Sequence, residues 1–307
     1  MRTRRPVQRW DTQPLRSLLF APASEHRKLA KLGSFGSDAI VLDLEDAVPE
    51  SEKTAARVAA TSALPGYVQT AVAMVRVNGE QSGRLADDVS AVVCADLDGI
   101  VVPKVEKAET LLDLDTQLAQ LERSCGITSG SVRVVALIET PKGVVHCESI
   151  ALAAPPRVLT LIFGLGDFSA EIGVDPTAGG EELLYARSRV VVAARAADMR
   201  APLDGPFLLD LDDVEGLLTD TRRSRQLGFQ GRVVVHPSHV EHVQGAYSEL
   251  HEEELDRMRR IVDAFETAER SGSAAIRVDQ RFIDYPPYRR AKDKLRLYEA
   301  SIAQEPI

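Results

Sequence analysis

The sequence predicts an α/β fold, a (β/α)8 barrel with a C-terminal helical lid extension. Three observations carry that prediction: apolar runs rich in Val, Ile and Leu recur at a steady spacing, amphipathic helical stretches separate them, and each run is closed by polar, charged or proline residues. Near-continuous apolar strands imply burial on both faces, and alternating βα units imply a parallel sheet, which eight units close most economically into a barrel. A doubly wound open sheet is the competing solution, but no Gly-rich dinucleotide fingerprint follows the first run.

Taken in order, strand one is expected at Leu15–Phe20, closed by Pro22 and followed by a short helix near 27–32. Strand two, Ala39–Leu44, carries Asp43 and runs into Glu45 and Asp46, with a helix at 51–63. Strand three, Ala71–Val77, holds Arg76 before Asn78 and leads to a helix at 84–93. Gly99–Val102 stops at Pro103-Lys104 and precedes a helix at 106–123. Val132–Ile138 ends in Glu139 before a helix at 142–152, and Val158–Phe163 is followed by Asp167, the next helix being expected at 182–199. Pro202–Leu209 meets Asp210 and a helix at 212–227, and Val233–Val235 meets His236 and a helix at 238–247. In such a barrel the strand C-termini form one mouth, so these residues are expected to converge there.

Composition sets bounds on partners. The 307 residues are 44% hydrophobic, enough for one large core or two modest ones, and the expected division is a barrel over 1–245 with a loose tail at 1–14, then a helical segment over 246–307. A net charge of −9 argues against a nucleic-acid or membrane-surface role. Cys94, Cys125 and Cys147 are an odd number without metal-ligand spacing, which fits reduced thiols and a cytoplasmic protein. No apolar run reaches the roughly 20 residues of a membrane-spanning helix. Trp10, outside the barrel, reads as packing rather than a ligand platform.

The most informative pair is Glu139 and Asp167, 28 residues apart, each just beyond an apolar run. Carboxylates at the same end of neighbouring parallel strands would point into one pocket, and such hard oxygen ligands suit Mg2+. Two helix-capping acids are the plainer reading. Arg76 offers a fork-shaped permanent charge suited to a carboxylate or oxyanion, or to an ion pair with Glu45 or Asp46. Asp43 and Glu45 share a face in strand alternation while Asp46 lies past the end; three charges so close require a cation or a raised pKa. Arg27 and Lys31, spaced i,i+4, would share a helix face suited to phosphates, or be an ordinary solvated pair.

Taken together, Arg16-Ser-Leu-Leu-Phe20-Ala-Pro-Ala, Ile40-Val-Leu-Asp43-Leu-Glu45-Asp46-Ala-Val, Val75-Arg76-Val-Asn78, Pro103-Lys104-Val-Glu106, Ile138-Glu139-Thr140, Gly166-Asp167-Phe168 and Val235-His236-Pro237 resemble the citrate lyase β-subunit-like branch of the HpcH/HpaI aldolase superfamily. The resemblance spans roughly residues 15–245. It implies a Mg2+-dependent TIM-barrel carbon–carbon lyase that cleaves or forms a 3-hydroxyacyl-CoA such as malyl-CoA or citramalyl-CoA, yielding acetyl-CoA and a 2-oxo acid. A malyl-CoA thioesterase or a citryl-CoA lyase subunit is the alternative, and a non-catalytic binding module a remote one.

By that resemblance Glu139 and Asp167 are metal ligands and Arg76 contacts substrate. Glu45 and Asp46 are read as catalytic pocket residues, with a structural network as the alternative, and the histidine that pyruvate-aldehyde aldolases carry after the glutamate is replaced here by Asp46. Arg27 and Lys31 align with CoA-binding basic residues, and Phe20 stands where relatives can have a tyrosine, removing a hydroxyl contact. His236 matches a motif but equally fits a structural histidine, and Asp204 and Asp210 fit either the mouth or turn chemistry. Beyond residue 246, Ile283-Asp284-Tyr-Pro286 resembles the lid of longer members, whose aspartate acts as acid/base in a neighbouring subunit of a homotrimer or hexamer. Asp284 holds that position.

Overall fold

The structure is a computed structural model that describes residues 14–248 and 252–302. Trp10 and nearly all of the expected N-terminal tail lie outside the described residues. The chain divides into two compact units, Met1–Tyr247 and Ser248–Ile307.

The first unit is a closed eight-stranded barrel in sequential order. Its strands are β1 Ser17–Pro22, β2 Ala39–Asp43, β3 Val72–Arg76, β4 Gly99–Val102, β5 Arg133–Ile138, β6 Val158–Phe163, β7 Leu203–Asp204 and β8 Gly231–Val234. Every pairing around the barrel is parallel, including the β1–β8 closure. Side chains alternate faces along a strand, so one set fills the barrel and the other packs under helices. Leu18, Val41, Met74, Val101, Val135, Leu137, Ile162, Leu203 and Val233 form the interior cluster, whereas Leu19, Ile40, Leu42, Val75 and Ile100 belong to the outer one.

That alternation places the chemistry. Two residues beyond interior Leu18, Val41, Met74 and Leu137 stand Phe20, Asp43, Arg76 and Glu139, so these rows continue inward at the C-terminal mouth. Asp43 and Arg76 are direct register partners across β2 and β3.

Several elements differ from expectation. β1 runs on to Pro22, two residues further than expected, because Ala21 and Pro22 pair with Leu42 and Asp43. The seventh strand is cut to Leu203–Asp204 rather than running to Leu209. Gly205 lies so close to its neighbours that a Cβ there would be 2.9 Å from the Phe163 carbonyl oxygen, and Pro206 has no N–H for a ladder. The helix expected near 27–32 is one turn, His26–Leu29, followed by a 3-10 turn at Leu32–Ser34. An unanticipated helix, Leu165–Ile172, follows β6 directly and stops at Gly173, whose φ of 74° suits glycine. It carries Asp167 in its first turn.

The second unit is built from helices Glu252–Arg270 and Tyr285–Ile302 around Leu255, Met258, Ile261, Phe265, Ile283, Ala291 and Leu295. Between them lies a hairpin not read from the sequence, Ile276–Val278 paired antiparallel with Arg281–Ile283. Its two-residue turn uses Asp279 and Gln280 at φ of 47° and 65°, the left-handed pair such hairpins need. Asp284 sits between that hairpin and the last helix.

Candidate active site

At the barrel mouth Asp43 and Arg76 form a two-pronged pair. Arg76 Nε donates to Asp43 Oδ1 and Nη2 to Oδ2, both at 2.7 Å. Asp43 also accepts from the backbone N–H groups of Glu45, at 3.0 Å, and Ala47, at 3.2 Å. One buried carboxylate therefore fixes both the arginine and the turn that carries the next two acids. Arg76 Nη1 lies 3.0 Å from Glu45 Oε2 and 4.0 Å from Asp46 Oδ2, and the guanidinium stacks over the Phe20 ring at 5.5 Å. Burial works against its charge, but the Asp43 hydrogen bonds and the nearby acids outweigh that and raise its pKa above the usual arginine value. The expected alternatives for Arg76 thus merge: it is ion-paired, chiefly with Asp43, and it faces the mouth.

Lys104 bridges the other acids. Its backbone takes φ of 52°, unusual for a residue with a side chain, and aims its N–H at Glu139 Oε1 at 2.9 Å. Its ammonium donates to Glu45 Oε1 at 2.7 Å, reaches Asp46 at 3.4 Å and lies 3.0 Å from Asp167 Oδ2. Hence Glu139 and Asp167, the two candidate metal ligands, meet in one cluster with Asp43, Glu45 and Asp46. Glu139 is 4% exposed. Burial, then the charges of Glu45 and Asp167, push its carboxyl up to about 8 against the pull of Arg76 and Lys104. Glu45 is likewise raised, first by burial.

Two features of this cluster fit a divalent cation. Glu45 Oε2 and Asp167 Oδ2 are buried oxygens without a well-aligned hydrogen bond, each 3.0 Å from a cationic nitrogen, of Arg76 and Lys104 respectively. Gly164 also leaves the space in which Glu139 lies: a Cβ there would be 2.5 Å from Glu139 Cβ and 2.6 Å from its Oε2. Among the described residues no group of three or more His, Cys, Asp or Glu is arranged to hold a metal. A two-carboxylate site is nonetheless the pattern Mg2+ accepts when water and substrate complete its shell.

A supporting layer lies beneath. The buried Lys53 ammonium donates to the carbonyls of Leu44 and Glu45, each at 3.0 Å, and Asn78 Nδ2 donates to the Leu44 carbonyl at 3.0 Å. Asp88, fully buried, accepts from the Asn78 amide at 2.6 Å and from Arg57 at 2.6 Å. These contacts satisfy the carbonyls of a turn that leaves the sheet.

The remaining expected residues lie elsewhere. Phe20 serves the site through Arg76. Arg27 and Lys31 are exposed, and the chain tightens after the single helical turn so that Lys31 N–H bonds the Lys28 carbonyl. His236 is exposed and bonds the Ser238 hydroxyl at 2.6 Å. Asp204 is buried against Arg187, and Asp210 caps its own turn through the Asp212 N–H. Asp284 belongs to the second unit, half-buried at the start of the last helix. The parts played by Asp43, Lys104 and Lys53 emerge only from the structure. That of Asp43 is legible in principle, the residue being in phase with Val41, whereas that of Lys104 depends on a backbone angle that no spacing rule reveals.

An eight-stranded parallel barrel with a carboxylate, arginine and lysine cluster at its C-terminal mouth has the architecture of a barrel enzyme. The chain belongs to the HpcH/HpaI aldolase/citrate lyase family, whose model matches residues 16–237. Citrate lyase subunit beta of Haemophilus influenzae is 32% identical over 292 residues, covering 94% of this chain and 99% of that protein. The mitochondrial citramalyl-CoA lyase of Mus musculus is 28% identical, covering 92% and 86% respectively. Among solved structures, CitE from Mycobacterium tuberculosis in complex with magnesium, acetoacetate and coenzyme A superimposes with a TM-score of 0.72 at 29% identity, covering 94% of this chain and 99% of that one. The protein is thus an enzyme of the lyase class.

Proposed function

We propose that this protein is a Mg2+-dependent carbon–carbon lyase that cleaves, or in reverse forms, a 3-hydroxyacyl-CoA such as malyl-CoA or citramalyl-CoA. The observation that carries the reading is the meeting of Glu139 and Asp167 in one cluster beside Arg76, where Asp167 Oδ2 and the neighbouring Glu45 Oε2 are buried without a well-aligned hydrogen bond. Relatives named for citramalyl-CoA cleavage and a similar fold holding magnesium and coenzyme A support the substrate class.

Glu139 and Asp167 would hold the metal, which when bound supplies an electrophilic centre for the oxo-acid end of the substrate. The outer N–H groups of Arg76, not consumed by Asp43 and Glu45, stabilise negative charge on the thioester oxygen as the carbon–carbon bond breaks. Phe20 and Asp43 hold the guanidinium in place from below and beside. Asp46, engaged only at 3.4–4.0 Å, takes the proton of the substrate hydroxyl. Asp284, supplied by a neighbouring protomer of a homotrimer or hexamer, delivers a proton to the new acetyl-CoA carbon. Arg27 and Lys31, both exposed, contact the CoA phosphates.

The test is product analysis. Pure protein with Mg2+ is incubated with malyl-, citramalyl- and citryl-CoA, and acetyl-CoA plus a 2-oxo acid is expected by mass spectrometry. Free CoA with an intact hydroxy acid would instead assign a thioesterase. Glu139→Ala and Asp167→Ala should each abolish Mg2+-dependent turnover, and unchanged turnover in either removes the metal assignment.

A further inference from the structure

Lys104 touches four of the five acids at the mouth. Its ammonium reaches Glu45, Asp46 and Asp167, and its N–H holds Glu139; Asp43 alone is out of its reach and is held by Arg76, which also lies near Glu45 and Asp46. The two functions are separable because they use different parts of the residue. The N–H contact needs the left-handed backbone, φ 52°, which glycine adopts readily; the ion pairs need the charged tip.

The charge count shows what the tip does. Asp43, Glu45, Asp46, Glu139 and Asp167 face two cations, Arg76 and Lys104, an excess of three negative charges when all are ionised. A divalent ion reduces that excess to one. Without the ammonium two would remain, facing a substrate that is itself anionic. Conversely, an ammonium 3.0 Å from Asp167 Oδ2 would repel a cation held by the same carboxylate.

We propose that Lys104 is a positioning residue, a built-in counter-cation that keeps Glu45 and Asp46 neutralised so that the loaded site accepts an anionic oxo acid, while weakening the hold of Glu139 and Asp167 on the metal. This rests on the metal reading of those two acids. Removing the charge should therefore move metal affinity and substrate affinity in opposite directions, whereas loss of a merely structural contact weakens both.

The experiment is calorimetric titration of the full chain with Mg2+ alone, then of the Mg2+-saturated protein with glyoxylate, pyruvate and oxaloacetate. Lys104→Met and Lys104→Gly should bind Mg2+ at least about tenfold more tightly and the preferred oxo acid about tenfold more weakly, the floor set by one unit charge a few ångströms away at the dielectric of water. Lys104→Arg, which restores the charge, should stay within about twofold of the parent for Mg2+. Agreement between Met and Gly assigns the effect to the ammonium, since glycine keeps the N–H in place, and circular dichroism checks that each variant is folded. Mg2+ binding that is unchanged or weaker in folded Lys104→Met and Lys104→Gly overturns the inference while leaving the metal site standing. A parent protein that binds no Mg2+ overturns both, and one that binds Mg2+ but none of the three oxo acids overturns the substrate half along with the proposed function.

Discussion

Gly164→Ala isolates the geometry of the carboxylate cluster in a single methyl group. The backbone at Gly164 has φ of −96° and ψ of 92°, which alanine tolerates, so any effect comes from space rather than backbone strain. The new Cβ would stand 2.5 Å from Glu139 Cβ, 2.6 Å from Glu139 Oε2 and 3.1 Å from Leu137 Cδ1. An ordinary contact begins near 3.4 Å, so Glu139 must retreat by at least 0.9 Å. It has little room to do so, because the Gly164 N–H is bonded to the Ile138 carbonyl at 2.9 Å and ties the two strand ends together. Overpacking of this kind costs about 1–3 kcal/mol. At about 2–4 °C per kcal/mol for a domain of this size, Tm should drop by about 2–12 °C. If Glu139 holds the metal, a displacement near 1 Å should also lower turnover by about 100-fold and weaken Mg2+ binding. Gly166→Ala is the control: its Cβ meets only Leu208 Cδ1 at 3.7 Å, and it should be close to neutral in both assays. Melting curves and Mg2+ titration of the two variants decide the matter. Unaltered Mg2+ affinity and turnover in folded Gly164→Ala would refute the role given to Glu139.

Asp43→Asn keeps the shape but removes the charge that pairs with buried Arg76; breaking a buried pair costs about 3–5 kcal/mol, so a clear loss in Tm is expected together with a fall in kcat/KM, and a melting curve matching the parent would contradict it. Lys53→Met leaves the Leu44 and Glu45 carbonyls without their buried donor and should destabilise by about 1–3 kcal/mol in chemical denaturation, with no change expected if water replaces the ammonium. The raised carboxyl of Glu139, about 8 in the folded protein against an ordinary 4.5, has a definite sign. Between those values the folded chain keeps a proton that the unfolded chain has released, so stability of the metal-free protein should fall as pH rises from about 4.5 to about 8. Mg2+ should flatten that slope, and a Tm that rises across the window in metal-free buffer would count against the buried, protonated state of Glu139.

Much of the barrel is legible because its signal is local. Runs such as Ala39-Ile-Val-Leu-Asp43 and Val158–Phe163 are buried at every position, which their near-continuous apolar character announces, and the spacing between runs leaves little choice but a parallel barrel. Strand-end position likewise identifies Glu139, Arg76 and the Asp43-Glu45-Asp46 turn. The failures have equally physical reasons. The apolar run that continues past Asp204 to Leu209 is broken as a strand at Gly205-Pro206: the proline is a local signal that the apolar run outweighs in the sequence, whereas the Gly205 carbonyl accepts from the buried Arg232 guanidinium, a contact between separate segments that no pattern in 202–209 discloses. The helix at Leu165–Ile172 begins so soon after β6 that Gly164-Leu-Gly166 reads as a loop, and Asp167 reads as a strand end although it lies in a helix's first turn.

What the sequence determined by itself was periodicity, and with it most of the strands, their order, the strand-end position of Asp43, Arg76 and Glu139, and the family likeness. What only the tertiary structure decided was pairing. Asp43 rather than Glu45 is the main partner of Arg76 because β2 and β3 align them in register, and Lys104 joins Glu139 to Asp167 because its backbone turns left-handed where the fourth strand ends. The reason is physical: apolar phase is set by each strand alone, whereas which charge answers which depends on interstrand register and single backbone angles fixed only when the barrel closes.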